Sequence, residues 1–96
     1  MITTKDRAKL RGIAQNLDPI VIIGKGGITD GVLDSIRAVI EKRELIKIRL
    51  LPNSGIESRE ACDEVCEKLN ADGVQCIGNV FVIYKKSKKK GVQHVL

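Results

Sequence analysis

Aromatic residues are nearly missing from this 96-residue sequence, which holds one phenylalanine, one tyrosine and no tryptophan. Phe81 and Tyr84 both fall in a wholly apolar segment that is typical of a buried strand. Proteins that bind single-stranded nucleic acid commonly stack the bases on exposed aromatic rings. A stacking platform of that kind is therefore not expected here.

Histidine and the residue sets of catalysis are also scarce. The single histidine, His94, lies in the last three residues, and no Ser, His and Asp set comes together in the body of the chain. An enzyme site needs such titratable groups to converge. We therefore predict a protein without enzymatic activity and without a cofactor.

The three cysteines do not indicate a disulfide framework. Cys62 and Cys66 recur with Val65 and Leu69 at helical spacing, which places all four on one face of a helix. Free cysteine in such a position behaves as a small buried hydrophobe. We predict no metal site in this chain.

Long apolar runs and targeting signals are not found either. No run approaches the roughly 20 residues that span a bilayer. Residues 1–7 lack the apolar stretch and the small-residue cleavage site of a secretory signal. We therefore expect a cytoplasmic protein that does not associate with membranes.

Positive charge is in excess and is unevenly distributed. The chain has 17 basic and 12 acidic residues, a net charge of +5. Residues 56–72 carry two basic and six acidic side chains, so the remainder of the chain holds +9. This asymmetry favours a polyanion that binds away from the acidic segment. The alternative is an ordinary solvated surface with a basic tail.

Apolar periodicity predicts seven elements in the order αβαβαββ. The predicted elements are a helix capped by Thr3 or Thr4, a strand at 20–23, a helix capped by Thr29 or Asp30, a strand at 45–51, an acidic helix capped by Ser58, and a hairpin of strands 74–77 and 80–84.

Two of these strands, 20–23 and 80–84, are apolar throughout, which is typical of strands buried on both faces. The helices between successive strands imply right-handed crossovers and partly parallel pairing. We therefore predict an α/β fold, a mixed four-stranded sheet with helices on both faces, in which the first helix lies opposite the other two.

A glycine-rich loop, Gly24-Lys25-Gly26-Gly27, joins a predicted strand to a predicted helix. Glycine lacks a Cβ, so a phosphate backbone can approach the main chain closely. The helix behind the loop offers free N–H groups and a partial positive charge, and Lys25 adds a full charge. The spacing fits neither a P-loop nor a dinucleotide fingerprint, but a G-x-x-G loop is what KH-type modules place on a nucleic-acid backbone. Glycines that serve only the turn are the alternative.

Segments along the whole chain share a pattern: LRGIA at 10–14, PIVIIGKGGIT at 19–29, GVL at 31–33, ELIKI at 44–48, QCIGN at 75–79 and VIYK at 82–85. Together they resemble the CRM domain (chloroplast RNA splicing and ribosome maturation), known in prokaryotes as the YhbY-like family. The resemblance covers about residues 4 to 86. The sequence departs from the family at Arg43, where histidine is common, and at Lys85, where arginine is frequent.

The resemblance implies a fold similar to the C-terminal domain of bacterial translation initiation factor three, with an extra N-terminal helix. It also implies RNA as the partner, namely large-subunit ribosomal RNA or its precursor for a lone short domain. By position, the RNA-facing loop is residues 24–27. The full predicted RNA-binding set is Gly24, Lys25, Gly26, Gly27, Thr29, Lys47, Arg49, Lys85 and Lys86.

The predicted organisation is one CRM-like domain at 1–86, a lysine-rich tail at 87–96, and a monomer in solution. A lysine run of this kind is more often a disordered polyanion tether than a specific site. A second hypothesis is a protein-interaction module that recruits an assembly factor through the acidic helix or the basic tail.

Overall fold

The computed structural model describes residues 2–96. In chain order its elements are α1 (Thr4–Ala14), β1 (Val21–Ile23), α2 (Asp30–Arg43), β2 (Leu45–Leu50), a 3-10 turn (Pro52–Ser54), α3 (Ser58–Leu69), β3 (Asp72–Ile77) and β4 (Val80–Tyr84). The predicted αβαβαββ order is confirmed. Among residues 2–96, no helix is both long and apolar enough to cross a bilayer.

The four strands form one mixed sheet in the order β1-β2-β4-β3. β1 pairs with β2 in parallel, whereas β4 pairs antiparallel with both β2 and β3. The parallel pair is possible because α2 carries the chain back between the two strands. The predicted α/β class with a mixed four-stranded sheet is therefore confirmed.

Helices cover the two faces of the sheet unequally. A larger core lies between one face and the helices α2 and α3, and it includes Ile36, Val65 and Phe81. A smaller core lies under α1 on the opposite face, where Leu10 and Ala14 meet the strand residues Leu45, Val74, Val82 and Tyr84. The first helix thus lies opposite the other two, as predicted.

The two wholly apolar segments have different positions in the sheet. Val80–Tyr84 is a central strand with four of its five residues buried, as predicted. Val21–Ile23 is instead an edge strand, and Ile22 is 56% exposed, so the prediction of burial on both faces is wrong there. Ile22 is exposed because α1 packs on β2 and β3 and does not extend over β1 at the edge of this face.

Side-chain caps begin the first two helices. The Thr3 hydroxyl accepts from the Asp6 N–H and the Asp6 carboxylate accepts from the Thr3 N–H, a reciprocal capping box. Thr29 caps α2. The prediction that Ser58 caps α3 is wrong, since Ser58 is the first helical residue and Glu57 precedes it without a side-chain cap.

The lysine-rich segment 87–96 does not extend into solvent as a tether. It folds back against the end of α2, where the backbone N–H groups of Ser87 and Val95 donate to the carboxylate of Glu44. The sequence pattern could not show this contact because Glu44 reads as an ordinary charged residue at the end of a helix.

Candidate nucleic-acid interface

Residues 24–27 form a tight turn between β1 and α2. The Gly27 N–H donates to the Gly24 carbonyl at 3.1 Å, which places Lys25 and Gly26 at the two central positions. Gly26 and Gly27 have φ values of +99° and +66°, which L side chains rarely adopt. The turn itself therefore requires these glycines, and it leaves Lys25 exposed at the tip.

The turn rests on the segment that follows β2. A Cβ added at Gly24 would lie 3.4 Å from Cδ1 of Leu51, and one added at Gly27 would lie 3.5 Å from the carbonyl oxygen of Ser54. The Leu51 N–H also donates to the Ile23 carbonyl at 2.9 Å. Because β1 and β2 run parallel, their carboxyl ends meet at one edge and hold the loop there.

Thr29 caps helix α2, and this structural role is separate from any role in binding. Its hydroxyl oxygen accepts from the Val32 N–H at 3.2 Å and so begins α2 directly behind the loop. The side chain is exposed, and its hydroxyl proton remains able to donate. The first turn of α2 therefore presents both a hydroxyl and its own partial positive charge beside Gly27.

Two further loops reach this edge, and the sequence-based site did not include them. One is the Pro52–Ser54 turn with Gly55, and the other is the Gly78-Asn79 hairpin loop. The Asn79 carbonyl accepts from the Leu50 N–H at 2.7 Å, and the Asn79 Nδ2 donates to the Leu50 carbonyl at 3.1 Å. The sequence does contain a signal for these two loops, because one cluster of turn residues directly follows β2 and the other joins β3 to β4.

Lys47 and Arg49 lie on the sheet face that α1 covers only in part. Arg49 is exposed and Lys47 is half-buried. Arg49 stands in a row that crosses all four strands, beside Ile22 on β1 and Val80 on β4, with Ile77 on β3 at the end. Ile77 is 64% exposed. The row lies at the loop end of the sheet, so Arg49 and the residue 24–27 turn share one region of the surface.

Lys85 and Lys86 lie at the other end of the sheet. The Lys85 N–H donates to the Glu44 carbonyl, just beyond the pairing of Leu45 with Tyr84. The loop end lies beyond the pairing of Ile23 with Leu50. The six residues of β2 separate the two ends by roughly 17 Å at the usual rise of a strand. The structure therefore divides the predicted RNA-binding residues into two groups rather than bringing them together.

The predicted site cations are free of internal ion pairs. Ion pairs among residues 2–96 join Arg37 to Asp34, Lys68 to Glu64 and His94 to Glu44. Within this described part of the chain, none of the predicted cations has a carboxylate within 4.0 Å. The acidic helix α3 packs on the sheet face opposite to Lys47 and Arg49. The positive groups are thus available to an external anion.

The cysteines lie at the contact between α3 and β3 and are free thiols. The neighbouring Cys66 thiol and burial raise the pKa of Cys62, and burial raises the pKa of Cys76 to about 11. Both groups are therefore neutral near pH 7 and poor nucleophiles. Among residues 2–96, no group of three or more His, Cys, Asp or Glu side chains is arranged to hold a metal ion.

The fold and the loop define a small α/β domain that presents a G-x-x-G turn at the start of a helix. The sequence model of the CRS1/YhbY (CRM) domain matches residues 2–85, and the chain belongs to this family.

Relatives in bacteria support the same assignment. The chain is 37% identical over 89 residues to "Probable RNA-binding protein YqeI" of Bacillus subtilis, covering 93% of each chain. It is 30% identical over 92 residues to an "RNA-binding protein" of Haemophilus influenzae, covering 96% of this chain and 93% of the other. The solution structure of the hypothetical protein SAV1595 from Staphylococcus aureus matches with a TM-score of 0.80, 40% identity and 94% coverage of both chains.

Proposed function

We propose that this protein binds structured RNA without catalysing a reaction, and that its partner is large-subunit ribosomal RNA or its precursor. The observation that carries the proposal is the loop at residues 24–27. It holds an exposed lysine with no internal carboxylate partner on a glycine turn at the start of α2. We expect the protein to act as a monomer in the cytoplasm.

The loop has the groups that a phosphate backbone requires. Gly26 and Gly27 leave the main chain open to close approach, and the first turn of α2 supplies N–H donors and a partial positive charge. Lys25 supplies a full charge at the tip. Arg49 and Lys47 extend the positive surface across the open part of the sheet face, where they can meet neighbouring phosphates.

Recognition in this proposal depends on backbone and shape rather than on base identity. The chain's two aromatic rings, Phe81 and Tyr84, are buried, so they are not available for stacking on bases. Phosphate contacts make the affinity strongly dependent on salt. If six to ten phosphates are contacted, the affinity falls by about 10³ to 10⁵ between 50 and 200 mM salt, on the scaling known for duplex DNA.

The ribosomal partner rests on the family. The relatives in Bacillus subtilis and Haemophilus influenzae carry names that describe RNA-binding proteins. Single CRM domains of this kind resemble the ribosome-associated members of the family, and the matched domain here covers residues 2–85. This chain spans 93% of each of these two relatives.

Ultraviolet crosslinking in the protein's own cells, followed by sequencing of the attached RNA, tests the proposal. We expect reads concentrated on large-subunit ribosomal RNA for the wild type and a strong loss of those reads for Lys25→Glu. Lys68→Glu is the matched control, since it changes the charge equally but lies on the acidic helix α3.

Reads scattered over all RNA in proportion to abundance would remove the ribosomal assignment. Equal crosslinking of the two variants would remove the role of the loop. Both side chains are exposed, and the Lys68–Glu64 pair that Lys68→Glu removes is a surface pair worth only about 0.5 kcal/mol. We therefore expect melting temperatures close to that of the wild type for both variants, which keeps folding effects out of the comparison.

A further inference from the structure

Glu44 is a fully buried carboxylate at the end of α2, with 0% of its surface exposed. Its backbone has a φ of +63°, a value that non-glycine residues seldom adopt. Its side chain receives three hydrogen bonds, from the Ser87 N–H at 2.6 Å, from His94 Nδ1 at 2.7 Å and from the Val95 N–H at 2.8 Å. All three donors belong to the C-terminal segment.

These bonds close a loop, residues 87–95, that we call the lysine loop. Its first residue binds Oε2 of Glu44 and its last residue binds Oε1, so one carboxylate holds both ends. The Ser87 hydroxyl also donates to the Glu41 carbonyl at 2.6 Å and accepts from the Lys89 N–H. Gly91, with a φ of +85°, turns the chain back. The segment is thus fixed at several points.

The hydrogen bonds also account for the charge state of Glu44. Burial by itself raises the pKa of a carboxyl group, but the bonds from Ser87, His94 and Val95 outweigh burial and lower the pKa of Glu44. The group is therefore ionised near pH 7. A buried charge without its partners is strongly destabilising, so the lysine loop and Glu44 depend on each other.

The loop carries its positive groups outward. Lys88, Lys89 and Lys90 are exposed, and no ion pair among residues 2–96 includes them. They follow Lys85 and Lys86, so five lysines fall within six residues at the sheet end away from the Gly24–Gly27 turn. These three lysines lie beyond residue 85, where the match to the CRM domain ends.

We propose that Glu44 positions the lysine loop as a second, pre-formed contact for RNA phosphates, separate from the contact at residues 24–27. The inference rests on the proposed RNA binding. A lysine run in a flexible tail loses conformational entropy when it binds, and a closed loop has lost most of that entropy on folding. Glu44 itself lies too deep to touch RNA and acts as a positioning residue.

The test measures the affinity for a fluorescein-labelled RNA stem-loop by fluorescence anisotropy at 0.15 M salt. Glu44→Gln removes a negative charge, which by charge alone strengthens the binding of a polyanion. The proposal expects the opposite, a loss of about tenfold, because the amide cannot accept from all three donors and the loop opens. Glu67→Gln is the charge-matched control on α3, and we expect it to bind as tightly as the wild type or slightly more tightly.

A double-mutant cycle isolates the positioning effect. Replacing Lys88, Lys89 and Lys90 by Gln should weaken binding by up to about 10² in the wild type if all three contact phosphates, and by clearly less in the Glu44→Gln background. Val95→Pro removes one donor to Glu44 without changing the charge, so it replaces Glu44→Gln if that variant fails to fold. Val95 also packs against the smaller core, and Val95→Ala, which keeps the N–H, is the control for that packing.

The outcomes separate the two proposals. Binding by Glu44→Gln or Val95→Pro at wild-type strength, or equal losses on lysine replacement in both backgrounds, would overturn the positioning role of Glu44. If RNA binding is abolished by Lys25→Glu while these variants keep full affinity, only the inference fails. If the wild type does not bind RNA, the proposed function fails and the inference fails with it.

Discussion

At one end of the sheet, Lys25 is held by a turn whose shape is set by Gly26 and Gly27. At the other end, Lys88, Lys89 and Lys90 are held by a loop whose two ends bind the carboxylate of Glu44. The first arrangement depends on the backbone alone, and the second depends on one ionised side chain. Both place lysines in solvent without an internal partner.

This difference shows two physical routes to an ordered positive surface. A glycine turn lets an anion approach the main chain, so it can bind a phosphate through N–H groups as well as through the lysine. The lysine loop offers side chains only, and its order depends on a buried charge that must stay ionised. The turn lies within the residues that match the CRM domain, and the lysine loop lies beyond them.

The largest expected effect comes from disabling both ends at once. Lys25→Glu should weaken RNA binding at 0.15 M salt at least about tenfold, and replacing Lys88, Lys89 and Lys90 by Gln should weaken it by up to about 10²-fold. If the two ends contact different phosphates, the losses multiply to about 10³-fold in the combined variant. Anisotropy titrations of the four proteins measure this directly.

A combined loss no larger than that of the lysine replacement alone would contradict two separate contacts. It would mean that the lysine loop contacts RNA and that Lys25 makes no separate phosphate contact. The salt dependence gives a second readout, because the slope of log K against log salt is negative and its magnitude should decrease by about 0.7 to 0.9 for each phosphate contact that is lost.

A smaller effect tests whether the turn needs its glycines for conformation. Gly27→Ala should lower the free energy of unfolding by about 1–2 kcal/mol, because its φ is +66°. Gly12→Ala is the control within helix α1, where no atom lies within 4 Å of the added Cβ, and it should raise the free energy of unfolding by about 0.5–1 kcal/mol. Urea denaturation of both variants measures the two changes. Equal shifts of the same sign would show that the turn does not require its left-handed backbone.

Much of the fold follows from periodicity in the sequence. Alternation placed Lys47 and Arg49 on the face opposite to Ile46 and Ile48, and the structure has them there. The edge position of β1 could not be predicted, since Val21–Ile23 is as apolar as the central strand. Whether a strand is covered depends on how far a helix from another part of the chain extends over the sheet. The composition of the strand itself gives no information about that distance.

The candidate site was predictable in its parts but not in its arrangement. Residues 24–27 and the lysine run are both visible as patterns in the sequence. Their separation by the length of β2 depends on which strand ends meet, and so on the pairing of β4 with β2. Glu44 could not be identified, because a glutamate after a helix is usually solvated and its three donors lie more than 40 residues away.

The smallest expected effect is a change in stability at acid pH, which should affect the lysine loop but not the turn at residues 24–27. The folded-state pKa of Glu44 is lowered, so its contribution to stability is fully present above the unfolded value of about 4.3 and is lost as the pH falls through the folded value.

The titratable groups that face Glu44 are His94 in the lysine loop and Tyr84 on β4. Burial and the charge of Glu44 raise the pKa of Tyr84. Glu44 is the only buried carboxylate among residues 2–96, so the turn at residues 24–27 has no equivalent group. The difference in free energy of unfolding between wild type and Glu44→Gln, measured in urea from pH 5 to pH 3, should therefore shrink as the pH falls. A difference that grows between pH 5 and pH 3 would mean that Glu44 is held in its neutral form, and the lysine loop would then need another explanation for its order.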